Sequence, residues 1–303
     1  MKIGYKKILS IATLIFVAIF IISFEKGLLN KVEYLQVSFL DVGQGDSVFI
    51  EAPNGVQMIV DGGPDDSVLR ELSKVMPFWD RSIDIVVATH PDKDHIGGLP
   101  EIFQRFKVGT SLDTGVTSDT GIYNEYKKRR ASSSANLVQA HSGQVISLDE
   151  KSGVYVEVLF PGESLNEIKD KNDTSIILRV VYGESEVLLT GDASVKIERF
   201  LLSKYGKNLE SDILKLGHHG SKTSTSKEFL EKVNPESVVI SAGVDNSYGH
   251  PSKETLYIVN NFGSKIYSTI DSGIVSFYLY PDIIEGIKPY ITTSLEYHEN
   301  WLP

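Results

Sequence analysis

Beyond its N-terminal segment, the chain alternates short apolar strands with amphipathic helices. Apolar side chains occupy every second position in residues 35–40, which predicts a strand with one buried face. Residues 47–51 and 57–60 flank a Pro-Asn-Gly turn and predict a β-hairpin. Residues 67–76 repeat apolar positions at helical spacing, and residues 83–88 form an apolar run typical of a buried strand. The first half is therefore predicted to mix strands with helices.

The second half of the chain repeats this alternation. Strands are predicted at residues 155–159, 175–181, 186–189, 213–216, 237–240, 265–268 and 274–279, and helices at 193–205, 227–233 and 253–262. Hairpins mixed with single helices favour two packed sheets flanked by helices over one doubly wound parallel sheet. Because no low-complexity linker interrupts the pattern, we expect one domain over residues 31–282. Residues 283–303 show no clear period and are predicted to be a peripheral tail.

The N-terminal segment has a different pattern. Residues 8–24 are 17 residues without a charge, and a helix of that length spans about 25 Å, at the short end of what crosses a bilayer. Lys2, Lys6 and Lys7 precede it, which predicts a cytoplasmic N-terminus. We expect residues 1–30 to be an uncleaved signal anchor that places the domain outside the cytoplasm as a single-pass cell-membrane protein. A cleaved signal of a secreted protein and a buried core helix are the alternatives.

Composition restricts the chemistry. The 303 residues include 30 Lys+Arg, 40 Asp+Glu and no cysteine, for a net charge of −10. The acidic balance argues against non-specific coating of nucleic acid, although DNA held locally by metal ions stays possible. The absence of cysteine excludes disulfides, thiolate metal sites and a cysteine nucleophile. Any metal must therefore be held by His, Asp, Glu or Asn.

A dense group of potential metal ligands follows the buried strand at residues 83–88. His90, Asp92, Asp94 and His95 fall within six residues, and two glycines follow at 97 and 98. One turn can aim such side chains at a common point, and the glycines let the next helix pack closely. A solvated polar turn is the alternative, but this density of ligands favours metal binding.

This segment resembles the H-x-H-x-D-H signature of the metallo-β-lactamase superfamily, with Asp92 where the second histidine usually stands. Further motifs occur in the expected order: D-V-G-Q-G-D at 41–46, D-G-G at 61–63, N-D-T-S at 172–175, L-T-G-D at 189–192, L-K-L-G-H-H-G-S at 214–221 and N-S-Y-G-H-P at 246–251. Together they are similar to the metallo-β-lactamase domain of the ComEC/Rec2 competence family over about residues 35–280. The resemblance implies a four-layer αββα sandwich and a hydrolase with two divalent metal ions.

The resemblance also suggests how the first ion is held. Two divalent cations roughly 3.5–4 Å apart can clamp both oxygens of a displacement. We expect Asp192 to bridge them, and His90 and Asp92 to hold one. The family's third histidine at this position is missing, and Asn172 or Asp173 stands in its segment. Such an oxygen-rich site favours manganese or magnesium relative to zinc.

The second ion is expected at Asp94 and His95, together with His218 or His219. We prefer His218 as the ligand, which leaves His219 to protonate a leaving group or to support the site from outside. Asp61 is expected to accept a ring N–H from a ligand histidine or to touch metal-bound water. Its alternative is a turn residue before two glycines.

Two histidines have no motif around them, and each of three other polar features has two interpretations. His250 would contact substrate or donate a proton, or else fix a loop. Asp46 would lie near the site or cap a backbone N–H. The basic residues 127–130 would bind a polyanion or form a solvated helix face. His141 and His298 have no motif around them and are predicted to be surface residues.

The leading hypothesis is a membrane-tethered, extracytoplasmic phosphodiesterase or nuclease with manganese or zinc, acting on DNA during uptake beside the competence machinery. The family's full proteins surround this domain with many transmembrane helices, whereas this chain has one candidate, so we do not expect it to form a channel alone. A hydrolase of a cell-wall phosphodiester is an alternative within the same chemistry. A non-catalytic DNA-binding or competence accessory module is an alternative of another class. A β-lactam or other amide substrate is less favoured.

Overall fold

A computed structural model of the protein describes Thr13, Ile15 and residues 34–162, 165, 168–281 and 290–293. The chain separates into two compact units, Met1–Glu33 and Tyr34–Pro303. Apart from Thr13 and Ile15, which are helical and exposed, the predicted membrane segment at residues 8–24 lies outside the described residues. Within the described part of the chain, no helix has the length and apolar character needed to cross a membrane.

Two β-sheets form the centre of the second unit. Their strands are β1 (Leu35–Phe39), β2 (Val48–Glu51), β3 (Gln57–Val60), β4 (Ser82–Ala88), β5 (Lys107–Asp113), β6 (Asn136–Gln139), β7 (Val145–Asp149), β8 (Val154–Phe160), β9 (Ile177–Tyr182), β10 (Ser185–Leu189), β11 (Ile213–Lys215), β12 (Ser237–Ile240), β13 (Lys265–Ser268), β14 (Val275–Leu279) and β15 (Tyr290–Thr293). One sheet has the order β15-β14-β1-β2-β3-β4-β5-β6, and the other has the order β13-β12-β11-β10-β9-β8-β7. Each sheet therefore combines hairpins with parallel strands.

Helices connect the parallel strands. They are α1 (Ser67–Val75), α2 (Lys93–Ile96), α3 (Leu99–Arg105), α4 (Gly121–Ser132), α5 (Val195–Tyr205), α6 (Lys227–Val233), α7 (Lys253–Phe262) and α8 (Thr269–Ser272). Serines begin four of them: the hydroxyls of Ser194, Ser226, Ser252 and Ser268 accept backbone N–H groups at the starts of α5, α6, α7 and α8. These caps satisfy donors that a helix N-terminus leaves unpaired.

The apolar residues divide into three buried clusters, which define the layers. In β2, Val48 and Ile50 belong to the cluster between the sheets, whereas Phe49 belongs to the cluster beneath α1 and α3. This alternation gives the first sheet two buried faces. A third cluster packs α5, α6 and α7 against the second sheet. The predicted architecture of two packed sheets flanked by helices is confirmed.

Parallel pairing brings the ends of several strands to one edge of the sandwich. β3, β4, β5 and β6 pair in parallel in the first sheet, as do β10, β11 and β12 in the second. The carboxyl ends of parallel strands lie at a common edge, where ligands bind in open α/β sheets. The motif residues follow β3, β4, β10 and β11, so the topology gathers them there.

The C-terminal tail contains a strand that the sequence did not predict. Residues 283–303 lack a clear period, but Tyr290–Thr293 form β15, which pairs antiparallel with β14. Four residues are too short to reveal a period, and the strand is recognised only by its pairing.

Candidate metal centre

The turn after β4 is fixed by close packing. The carbonyl oxygen of Asp92 accepts hydrogen bonds from the backbone N–H groups of His95 and Ile96, at 3.1 and 3.0 Å, and so begins α2. At Gly97, a Cβ atom would lie 2.1 Å from the carbonyl oxygen of Pro64. Only glycine lets α2 approach the neighbouring segment this closely. The packing thereby sets the direction of the ligand side chains on the turn.

Four imidazoles converge on one carboxylate oxygen. The Nε2 atoms of His95, His219, His218 and His90 lie 3.3, 3.6, 3.7 and 4.0 Å from Asp192 Oδ2. The side chains of these residues are at most 3% exposed, except for His218 at 26%. Asp192 is therefore the carboxylate around which the four imidazoles gather.

Each of these imidazoles is also held at its other nitrogen. The Nδ1 contacts are His95 with Asp61 Oδ2 at 2.7 Å, His219 with Ser241 O at 3.0 Å, His90 with Thr89 Oγ1 at 3.1 Å, and His218 with Thr223 Oγ1 at 3.3 Å. When Nδ1 donates to an oxygen, Nε2 presents its lone pair, and this is how outer residues orient metal-binding histidines. The protein thus presets four Nε2 atoms toward a common centre.

Asp61 acts through His95. It has a left-handed backbone conformation, with φ of 61°, which is uncommon for a non-glycine residue and occurs often at functional sites. Its carboxylate accepts hydrogen bonds from the Thr89 backbone N–H at 2.8 Å and the Thr89 hydroxyl at 2.6 Å, besides its contact with His95. Asp61 therefore joins the end of β4 to a ring of the centre.

The two adjacent histidines after β11 make different contacts around Asp192. Both have left-handed conformations, with φ of 50° at His218 and 55° at His219. His219 Nε2 lies 3.3 Å from Asp94 Oδ2, and ligand atoms of Asp94, His95, Asp192 and His219 all lie within 4.8 Å of one another. The sequence preferred His218 in this group, but the structure brings His219 there and leaves His218 on the more exposed side.

The charges of the centre stabilise one another. Burial acts to lower the pKa values of His95 and His219, but the Asp192 carboxylate raises the pKa of His219 to about 9 and that of His95 well above its usual range. Burial acts to raise the pKa of Asp192, and the two imidazoles hold it well below the ordinary value. Burial, aided by the charge of His95, lowers the pKa of His90 to about 3. The carboxylate stays ionised and attracts positive charge to the centre.

The donor set fits divalent metal ions. Three buried polar atoms at the centre, His90 Nε2, His95 Nε2 and Asp192 Oδ1, have no hydrogen-bond partner among the described residues. Buried polar groups are rarely left without a partner. Imidazole nitrogen and carboxylate oxygen suit zinc, manganese and iron. The unpartnered atoms are therefore those that a metal would satisfy.

A buried ion pair lies beneath the centre. Lys215 Nζ lies 2.6 Å from Asp46 Oδ2, and Asp46 Oδ1 lies 3.2 Å from His219 Nδ1. Burial acts to raise the pKa of Asp46, but the charges of Lys215 and His219 lower it well below its usual range. The sequence offered Asp46 as a residue near the site and missed Lys215. Its one signal was a lysine inside an apolar strand.

The family model matches the part of the chain that carries the residues from Asp46 to His219. Residues 40–244 match the family model of the metallo-beta-lactamase superfamily. The chain belongs to the metallo-β-lactamase superfamily. It is 34% identical to competence protein ComA of Neisseria gonorrhoeae over 80% of this chain and 32% of that protein. It is 28% identical to ComE operon protein 3 of Bacillus subtilis, over 80% of this chain and 33% of that protein. The chain thus spans about a third of the length of these relatives.

A solved structure with the superfamily fold gives the same architecture. Igni18, described as a novel metallo hydrolase from the hyperthermophilic archaeon Ignicoccus hospitalis, superposes with a TM-score of 0.54. The alignment covers 80% of this chain and 98% of that one at 17% identity. At this identity the likeness supports the fold alone.

The segment in which the superfamily places a third histidine supports the centre from behind. Asp173 accepts a hydrogen bond from the Ser194 backbone N–H at 3.3 Å, so its carboxylate is engaged at the start of α5. The carbonyl oxygen of Asn172 accepts a hydrogen bond from Ser175 Oγ at 2.7 Å, and Ser175 Oγ accepts one from the Asp192 backbone N–H at 3.0 Å. These contacts hold Asp192 in place.

Asp92 departs from the superfamily pattern and lies in a charged surrounding. Burial raises the pKa of its carboxyl, the Lys171 charge lowers it, and the Asp94 charge raises it. Its side chain forms no capping hydrogen bond with α2 among the described residues. Asp92 thus starts α2 through its carbonyl oxygen, and its side chain takes no part in capping the helix.

His250 lies at the rim of the centre. Its ring centroid is 5.4 Å from that of His218 and 6.3 Å from that of His219. Its backbone N–H donates to Asn246 Oδ1 at 3.0 Å. This position beside the site agrees with both interpretations from the sequence, a fixed loop and a contact with substrate.

The basic residues 127–130 fall in α4 and are partly committed to ion pairs. Arg130 lies 2.9 Å from Asp113 Oδ2, and Arg129 lies 2.7 Å from Glu125 Oε1. The stretch therefore resembles a structural helix face more than a free polyanion site. His141 is exposed and lines a cleft of about 810 Å³ formed by the segments after β5, β6 and β8. His298 lies outside the described residues.

Proposed function

We propose that this chain is a phosphodiesterase that uses two divalent ions, manganese or zinc. We further propose that residues 8–24 tether it to a membrane with the centre outside the cytoplasm. The observation that supports the chemistry most directly is the convergence of four Nε2 atoms on Asp192 Oδ2, at 3.3 to 4.0 Å. An aspartate with only a structural role would not require four imidazole rings around one carboxylate oxygen.

The ligands divide around the bridging carboxylate. Asp94, His95 and His219 would hold one ion, because their ligand atoms already lie within 4.8 Å of each other and of Asp192. His90 and His218 would hold the other, on the side where Asp92 supplies a harder oxygen ligand. In this arrangement His218 takes the place of the superfamily's third histidine. Bound divalent ions supply Lewis acidity and activate water for attack on a phosphodiester.

The chain's own residues orient and close this centre. Asp61 and the Ser241 carbonyl oxygen hold the rings of His95 and His219 through Nδ1. His250, at the rim, is placed to hold or deliver a proton where a leaving group departs. The burial of the rings excludes water except at the more exposed His218 side, which we take as the entrance for substrate.

DNA is the substrate we favour. The support is the similarity to competence proteins, which this chain matches over about a third of their length. A phosphodiester suits the centre because the anion is drawn to the ions, while the chain as a whole is acidic and would repel it elsewhere. On this view the protein works beside the competence machinery. A cell-wall phosphodiester and a non-catalytic DNA-binding role are outcomes that the test separates.

The test measures hydrolysis of bis(p-nitrophenyl) phosphate, single-stranded DNA and a teichoic-acid-type phosphodiester by the full chain with manganese or zinc. We expect metal-dependent turnover, and a loss of roughly 100-fold or more in Asp94→Ala because the two-ion clamp needs both positions filled. Asp66→Ala, at an exposed position without a side-chain capping bond, is the matched control. Turnover of DNA alone favours the competence role, and turnover of the wall polymer alone favours the other substrate. Unchanged activity in Asp94→Ala would contradict the mechanism, and absence of all turnover would favour a binding module.

A further inference from the structure

Aromatic rings extend outward from the centre in a row. The His250 ring lies 5.4 Å from the His218 ring, and the Tyr248 ring lies 5.9 Å from the His250 ring. The planes of Tyr248 and His250 are within 24° of parallel. Tyr248 is 70% exposed, so much of its ring faces solvent. A large aromatic ring is thus presented to solvent one ring away from the centre.

The loop that bears this ring is held in place. Asn246 Nδ2 donates to the Gly243 carbonyl oxygen at 3.0 Å and also to the His250 carbonyl oxygen, and Asn246 Oδ1 accepts from the His250 backbone N–H at 3.0 Å. The Gly243 backbone N–H donates to Gln44 Oε1 at 3.2 Å, which joins the loop to the first sheet. A held loop loses little entropy when a ligand binds to it.

The topology places this ring on one flank of the centre. The loop follows β12, which lies beside β11 in the second sheet, and β11 leads into His218 and His219. The cleft of about 810 Å³ lies on the other flank, after β5 and β6, and is lined by polar groups that include Thr117, Gln139 and Ser142. A linear polymer whose phosphodiester reaches the centre therefore passes the cleft on one side and Tyr248 on the other.

We propose that Tyr248 is a stacking platform for the nucleobase next to the bond that is cleaved. The proposal rests on the phosphodiesterase function and specifies the substrate as a single-stranded nucleic acid. Every base has a flat π-face, so stacking on an exposed aromatic ring holds a strand without selecting its sequence. His250, nearly parallel behind the ring, supports it in the stacked orientation. A wall polymer of phosphate and polyol has no base to stack.

Binding tests the platform without turnover. Fluorescence anisotropy of the metal-loaded full chain compares a labelled oligothymidine with an abasic oligomer of equal length and charge. Wild type should bind the oligothymidine about 10-fold more tightly, and Tyr248→Ala should lose that preference while Tyr248→Phe keeps it. Tyr257→Ala, on α7 at 71% exposure, is the matched control and should behave as wild type. Equal binding of both oligomers by wild type would overturn the proposal.

Kinetics separates this proposal from the proposed function. Thymidine 5′-(p-nitrophenyl) phosphate and methyl p-nitrophenyl phosphate share a leaving group and differ in the nucleoside. The ratio of their kcat/KM values should fall about 10-fold in Tyr248→Ala, as expected for one lost stacking contact. Equal losses on both esters would assign Tyr248 to loop structure and overturn the platform while leaving the phosphodiesterase function intact. If wild type hydrolyses neither ester, the proposed function fails, and the binding comparison still decides the platform.

Discussion

Replacement of Lys215 by methionine should lower the free energy of unfolding, because it removes one partner of the ion pair beneath the centre. The side chains of Lys215 and Asp46 are 2% and 3% exposed, with Nζ and Oδ2 2.6 Å apart. Methionine fills nearly the same volume in β11, so packing is kept while the Asp46 carboxylate loses its cation. Removal of one partner of a buried pair costs about 3–5 kcal/mol of stability. We expect about 3 kcal/mol, the lower end, because Asp46 Oδ1 retains His219 Nδ1 at 3.2 Å.

The assay is urea unfolding of the full chain followed by circular dichroism, in EDTA so that metal binding does not contribute. Adding Asp46→Asn to Lys215→Met should restore part of the loss, with a coupling energy of about 2 kcal/mol, because the uncompensated charge is removed. Lys227→Met is the control: its partner Glu231 lies 3.4 Å away, but the two side chains are 77% and 55% exposed. That exposed pair should be worth less than about 0.5 kcal/mol. A loss below 1 kcal/mol in Lys215→Met, or an additive cycle, would refute the reasoning.

Three further results are expected. Turnover should be faster with manganese than with zinc, and Asp92→His should shift the preferred metal toward zinc, since carboxylate is a harder ligand than imidazole. If wild type turns over fastest with zinc and the variant has the same metal preference, ligand hardness is excluded as the cause. Protease added to intact spheroplasts should remove the domain, whereas protection would contradict the proposed orientation. Gly97→Ala, with its Cβ 2.1 Å from the Pro64 carbonyl oxygen, should lower both the melting temperature and metal retention, and a variant with wild-type values of both would show that the close packing does not set the centre.

Sequence patterns predicted most of the regular elements where periodicity is strong. The helix predicted at residues 67–76 is observed at Ser67–Val75, and those predicted at 227–233 and 253–262 have the predicted bounds. β6 was missed because it is a four-residue strand with little burial on either face, so no alternation marks it. α4 was indicated only by the helix-face interpretation of residues 127–130, because its sequence, G-I-Y-N-E-Y-K-K-R-R-A-S, has too few apolar residues to form a stripe. In both cases tertiary pairing or packing stabilises an element that local pattern does not indicate.

The candidate centre was predictable in composition but not in arrangement. Strand-end motifs identified the residues, since the ends of parallel strands meet at one edge. The directions of His218 and His219 depend on two successive left-handed backbone conformations, which the sequence does not reveal because such conformations are uncommon for residues other than glycine. The partnership of Lys215 with Asp46 joins residues far apart in the chain and appears only once the two sheets are packed.

Metal content is the most direct test of the account. The full chain is dialysed against manganese or zinc, then against metal-free buffer, and the ions retained per chain are counted by mass spectrometry. Wild type and the control His141→Ala should retain two ions, and Asp192→Ala should retain fewer than one, because the bridging carboxylate is shared by both positions. Wild type without stoichiometric metal, or Asp192→Ala with two ions, would contradict a two-ion centre around Asp192.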